Sequence, residues 1–207
     1  MRLYNETPYQ VRHHVAMYEA GRPFMAVIVK GTFGLEKDAA VKPLPADSQA
    51  KIAGATKFLD DIGTSEKTPT DVAPFKTQAD CLFIGSAHAP GGNPVQVLQT
   101  HFAVGSMEKT LSVFGDREWV RDADGGAHLT EPRPFTEIPM RAEFAHGGLE
   151  SKHNYHGLGF EPLAEEPGAA VPVANIVLEG QTAVSWEHDV PHAGFGMLSP
   201  MQQPRRA

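Results

Sequence analysis

Glycine and proline set the limits on what this chain can fold into. Twenty glycines and 17 prolines interrupt its 207 residues at short intervals. Helices need longer uninterrupted stretches to overcome nucleation, and each proline removes a backbone donor. The runs left between the breaks are short and rich in β-branched and aromatic residues. That rhythm predicts a mainly β protein with little helix. Its expected form is an antiparallel meander or β-sandwich-like core with a loop-rich C-terminal lobe.

The first strong strand is FMAVIVKGTF at 24–33. Its first six residues are apolar on both faces, which suits a strand covered on both sides. Residues 11–18 are placed to pair with it, turning at 19–23. Residues 37–57 read as a loop with one short strand, and 60–76 as a turn-rich connector. The centre is clearer, with strands at 81–88, 95–104, 109–114 and 117–121. Turns at 89–94, 105–108, Gly115-Asp116 and 122–126 separate and follow them. Successive hairpins of this kind build a meander. Beyond Pro132 only 140–144, 176–179 and 183–187 are strand-like. The expected division is an antiparallel core over 1–131 and a loop-rich lobe over 132–207, packed as one continuous domain.

Composition excludes several classes of function. Apolar residues make up 41% and charged residues 21%, as in an ordinary folded protein. The net charge is -7, and no Lys/Arg run precedes Arg205-Arg206. Nucleic acid partners need a basic footprint, so none is expected. The N-terminus lacks a basic-then-apolar leader pattern, and the apolar runs are too short to span a bilayer. A cytoplasmic protein with no membrane partner is expected. The single cysteine, Cys81, sits in the apolar run CLFI at 81–84 and reads as a buried small hydrophobe.

Catalytic signatures are missing: no nucleophile elbow, no H-E-x-x-H, no Walker A loop and no dinucleotide fingerprint. Neither cofactor nor metal is expected. Ten histidines keep one alternative open. His153 and His156, joined by His188 and His192, have the chemistry of a zinc site in a metal-dependent hydrolase. Against this stands the plainer role of histidines anchoring Gly-rich loops. The DADG run at 122–125 lacks the later ligands of a calcium loop and reads as a hairpin turn. Asp116, Arg117 and Trp119 form a polar–aromatic group with no nucleophile beside it, a structural corner. Glu137, Arg141 and Glu143 read as a solvated strand face. A structural β-sandwich or carbohydrate-binding module is a third class, weakened by an aromatic content of only 8%.

A set of short pieces occurs in a telling order. They are VIVKGTF at 27–33, DVAPFKTQAD at 71–80, GSAHAPGG at 85–92, VFGDREW at 113–119 and PFTEIP at 134–139. AHGG at 145–148, NYHGLGF at 154–160, PVANI at 172–176 and AGFG at 193–196 follow. Together they resemble the domain-of-unknown-function family encoded beside the spike (valine-glycine repeat) genes of type VI secretion, whose members serve as effector adaptors or chaperones. Members often have an aromatic where His146 stands and Pro-Asn where Val173-Ala174-Asn175 stands. They also continue past the AGFG segment, so this chain corresponds to the larger, N-terminal part of such a domain. The resemblance implies a non-enzymatic, cytoplasmic adaptor whose partners are a secreted effector and the spike or spike-tip protein. It carries over no catalytic residue and leaves the oligomeric state open. Loops on a rigid sheet would make the contacts. The candidates are Ala89, Pro90, Gly91 and Gly92, then Pro134 and Phe135, then His146, Asn154 and His156. An open sheet edge is a further place to accept a client strand.

Overall fold

The β-branched run near the start forms one arm of a hairpin. In the computed structural model β1 (Gln10–Tyr18) pairs antiparallel with β2 (Arg22–Lys30), from Tyr18 opposite Arg22 to Gln10 opposite Lys30. The structure describes residues 3–18, 21–59, 65–72, 81–147, 157–159, 163–180 and 193. They fall in two units, one of residues 1–58 and 66–80, the other of 59–65 and 81–207.

In the first unit β2 is not covered on both sides. Phe24, Ala26 and Ile28 are half-buried, while Met25, Val27 and Val29 are exposed beside Val15 and Met17. A strand sends alternate side chains to opposite faces. A continuous apolar run therefore satisfies β propensity on both faces without both being buried. Two short ladders follow, β3 (Phe33–Gly34) with β4 (Lys42–Pro43) and β5 (Lys57–Phe58) with β6 (Glu66–Thr68). Side chains supply the cross-links these ladders lack. The buried Gln49 amide accepts the Thr32 N–H at 2.6 Å and donates to the carbonyls of Thr32 at 3.2 Å and Leu44 at 2.5 Å. One Asp71 carboxylate oxygen takes the Lys30 ammonium and the Ala53 N–H, each at 2.6 Å.

The second unit carries ten strands among its described residues. They are β7 (Ser86–His88), β8 (Val97–Val104), β9 (Met107–Phe114), β10 (Arg117–Arg121), β11 (Ala127–Leu129), β12 (Glu137–Pro139), β13 (His146–Gly147), β14 (Leu158–Gly159), β15 (Ala170–Val173) and β16 (Ile176–Leu178). Two three-stranded sheets run in the orders β16-β9-β8 and β11-β10-β15. The pairs β12–β7 and β13–β14 complete the set, the last of them parallel. The mainly antiparallel β expectation holds. Strands on both sides of residue 131 pair with each other, β16 with β9 and β12 with β7.

The link between β9 and β10 is not a hairpin reversal. Gly115-Asp116 carries the chain round a corner, from the sheet of β9 into the sheet of β10. Ala174-Asn175 turns the same corner between β15 and β16, so the two connections run side by side. Phe114 N–H donates to the Asn175 carbonyl at 2.8 Å. The buried Asn175 amide donates back to the Phe114 carbonyl at 3.1 Å and to Asp116 at 3.0 Å. Satisfied amides of this kind let a bend be buried without orphaned backbone groups.

Helical structure among the described residues is limited to short 3-10 turns, including those at Ala46–Ser48, Pro90–Gly92 and Ala142–Phe144. The last of these occupies the expected strand at 140–144. Glu143 is no solvated face residue: its two oxygens accept the Ser65 N–H and hydroxyl, both at 2.6 Å. The run 183–187 lies outside the described residues. The core of this unit centres on Val113 and Ile176, both fully buried, with Leu111, Ile138, Ala87 and Ala145 around them. No helix among the described residues is long and apolar enough to cross a membrane.

Candidate functional site

The hairpin β8–β9 turns at Gly105-Ser106, with Gly105 at φ 61 and Ser106 outside the positive-φ region. Glycine at the first central position is the signature of a II′ turn, whose closing pair exchanges two hydrogen bonds. Val104–Met107, Phe102–Lys109, Thr100–Leu111 and Leu98–Val113 are therefore the hydrogen-bonded pairs. The intervening residues of β9 confirm the phase. The Thr110 carbonyl accepts from Glu179 N–H and Phe114 N–H donates to Asn175, both away from β8. It follows that the backbone groups of Val97, Gln99, His101 and Ala103 point outward from β8.

That outward edge is occupied at its start and, among the described residues, unpaired beyond it. Val95 and Phe135 exchange two backbone hydrogen bonds, of 3.0 and 2.9 Å. The partner segment then leaves to become β12 and pairs with β7 instead. From Val97 onward no described strand pairs with β8. A groove of about 450 Å³ lies there. Phe83, Leu98, Phe102, Leu111 and Met140 give it an apolar wall, and Gln99 and His101 reach it along the edge.

Polar side chains line it as well. Ser86, His88, Thr100 and Lys109 contribute. Lys109 lies opposite Phe102 on the apolar face of the hairpin, and partial burial holds its ammonium below the ordinary lysine range. It forms no ion pair with a described residue. The Lys109 ammonium is thus a partly desolvated cation in the groove, beside backbone donors and acceptors that no described strand occupies.

Cys81 corrects the expectation of a buried thiol. It is exposed, and Leu82, Phe83 and Ile84 after it are 45%, 57% and 56% exposed. The strand expected at 81–88 begins only at Ser86, so this run lies outside any ladder. Its apolar character serves the groove rather than the core: Cys81, Leu82 and Phe83 all line it, and the Phe83 ring stands 6.0 Å from that of Phe102. Cys81 makes no hydrogen bond to a described residue.

Six of the residues read from the sequence as contacts lie at the occupied end of the edge. Ala89 is buried and donates its N–H to Thr136 at 2.8 Å, and Pro90, Gly91 and Gly92 form an exposed 3-10 turn with Gly91 and Gly92 at positive φ. Pro134 is exposed, and Phe135 packs against the core while bridging Val95. His146 is elsewhere, on β13 opposite Leu158. Asn154 and His156 lie outside the described residues, as do His153, His188 and His192 of the alternative metal site. Among the described residues no three metal-binding side chains cluster.

Asp116, Arg117 and Trp119 occupy the corner and the strand leaving it. Arg117 is 4% exposed; it donates to the Ala174 carbonyl at 3.2 Å and stacks 3.9 Å from the Phe114 ring centroid. Its Nε has no partner, and burial pushes the guanidinium down to about 10, still protonated at neutral pH. A buried charge without a carboxylate gives little net stability. Arg117→Met is therefore expected to stay within about 1 kcal/mol of the parent in urea unfolding, or to exceed it. A loss of several kcal/mol would show that the charge itself holds the corner.

Sequence reasoning missed the groove, although one signal was present. Lys109 falls in phase with Met107, Leu111 and Val113, a cation on the apolar face of a strand.

No curated protein and no solved structure matches the chain. One family pattern does, that of an uncharacterized protein conserved in bacteria (DUF2169), over residues 20–207. With nearly its whole length covered, this chain belongs to that bacterial family.

Proposed function

We propose that the chain is a non-enzymatic adaptor or chaperone that binds a type VI secretion effector in the cytoplasm and helps load it onto the spike. The observation that carries this reading is the outer edge of β8, which no described strand occupies, beside an apolar groove. Such an edge offers main-chain hydrogen bonds to an extended segment, and alternate pockets give selectivity. An adaptor needs this kind of receiving surface on a rigid sheet and no reacting groups. The resemblance carried by the ordered run of short motifs from 27–33 to 193–196 supports the secretion part of this reading.

The test is recovery of the tagged full chain from its source bacterium. An effector and a spike or spike-tip component are expected to co-purify with it, and Gln99→Pro is expected to lose the effector. Recovery of the chain with neither class of partner would overturn the reading.

A further inference from the structure

We infer that the groove selects an extended client segment that adds as a strand to β8, turns alternate apolar side chains inward and sets a carboxylate against Lys109. This rests on the adaptor reading for the identity of the client, but its chemistry is argued from the groove alone.

Three features specify the occupant. The outward N–H and C=O groups of Val97, Gln99, His101 and Ala103 continue the line along which Val95 already pairs with Phe135. A chain entering there meets backbone partners in register, which only an extended peptide can use in full. Leu98 and Phe102 face the groove from the same side of β8, with Thr100 between them, and Phe83, Leu111 and Met140 complete its apolar wall, so the inward side chains of the occupant are best apolar. Lys109 stands opposite Phe102 with no acidic partner among the described residues, and a partly desolvated ammonium is compensated best by a carboxylate. A basic or uniformly apolar segment would leave that charge uncompensated at the apolar wall.

The experiment is affinity selection of displayed random peptides on the purified full chain, followed by binding titrations of the winning peptide. Enriched peptides are expected to alternate apolar residues and to carry Asp or Glu at one fixed inward position. Changing that acid to its amide is expected to weaken binding about tenfold on the parent protein and hardly at all on Lys109→Gln. Lys109→Arg should keep the acid preference. Gln99→Pro should remove binding of every selected peptide, because a proline at an outward edge position spares the β8–β9 ladder and blocks strand addition. Circular dichroism spectra matching the parent establish that each variant is folded. No enrichment, enrichment without a fixed acid, or an acid preference that survives in Lys109→Gln would overturn the inference. Effector co-purification in the absence of an acid preference would sink this inference and leave the adaptor reading standing. Acidic peptide binding with no co-purified effector would do the reverse.

Discussion

Replacing Gly115 by alanine is expected to cost about 3 kcal/mol and to lower Tm by about 10 °C. The residue is buried at the corner between β9 and β10, where the chain passes directly over the Arg133 backbone. A Cβ at this position falls inside the van der Waals radius of the Arg133 carbonyl oxygen and 2.8 Å from its carbonyl carbon. Backbone atoms cannot rotate away as a side chain can. Two hydrogen bonds hold them in place, from Arg133 N–H to the Asp116 carbonyl and from Gly115 N–H to the Gln96 carbonyl, each 3.0 Å. Making room for one methyl group therefore means breaking the corner. Gly34→Ala, in the first unit and followed by far-UV circular dichroism, is the contrasting substitution. A Cβ there meets only a Leu44 methyl group at 3.6 Å, an ordinary contact, so its effect should stay within about 0.5 kcal/mol. Trp119 lies on β10 in the second unit, so tryptophan fluorescence follows the unfolding of that unit. A loss below about 1 kcal/mol for Gly115→Ala would show that the Arg133 segment yields freely.

The same corner shows where reading from sequence stops. A Gly-Asp pair between two strand-like runs suits a hairpin reversal and a sheet-to-sheet corner equally well. What decides between them is the partner of each strand, and pairing is a property of segments far apart in the chain. β9 finds β16 and β10 finds β15, some sixty residues on. Hairpins whose ladders begin at their own turns, β1–β2 and β8–β9, were legible because turn chemistry and strand runs are local, whereas the short β11 after the turn at 122–126 was not read. Side-chain facing was less so. The run 24–29 is apolar at every position, and nothing within it tells Ile28, half-buried, from Val29, exposed. The groove was illegible for a related reason. Its walls come from 81–86, β8, β9 and Met140, brought together by the departure of β12 from the β8 edge. Only Lys109, out of keeping with the apolar phase of its strand, marked the place in the sequence.

Ile176 provides the second large effect. Its truncation to alanine is expected to cost about 3 kcal/mol, and truncation to valine about 1 kcal/mol. The side chain is fully buried and lies opposite Val113, itself fully buried, while Ala145 bridges its backbone on the other side. Leu111, Ile138 and Ala87 complete the cluster. The cost of such a truncation depends on how far the walls collapse into the space left behind. Here one flank is the β9 ladder and the other a backbone bridge to Ala145, and the ladder is tied to the corner by the Phe114–Asn175 hydrogen bond of 2.8 Å, so little collapse is available. The cavity term then adds to the lost transfer free energy instead of being relieved. Urea unfolding followed by tryptophan fluorescence measures both variants, with an unchanged slope expected because the surface exposed on unfolding is nearly the same. A cost for Ile176→Ala no larger than that for Ile176→Val would mean that the walls close over the gap. The β16–β9 ladder would then be a deformable support for the groove, and the fixed alignment of β8 on which strand addition depends would be lost with it.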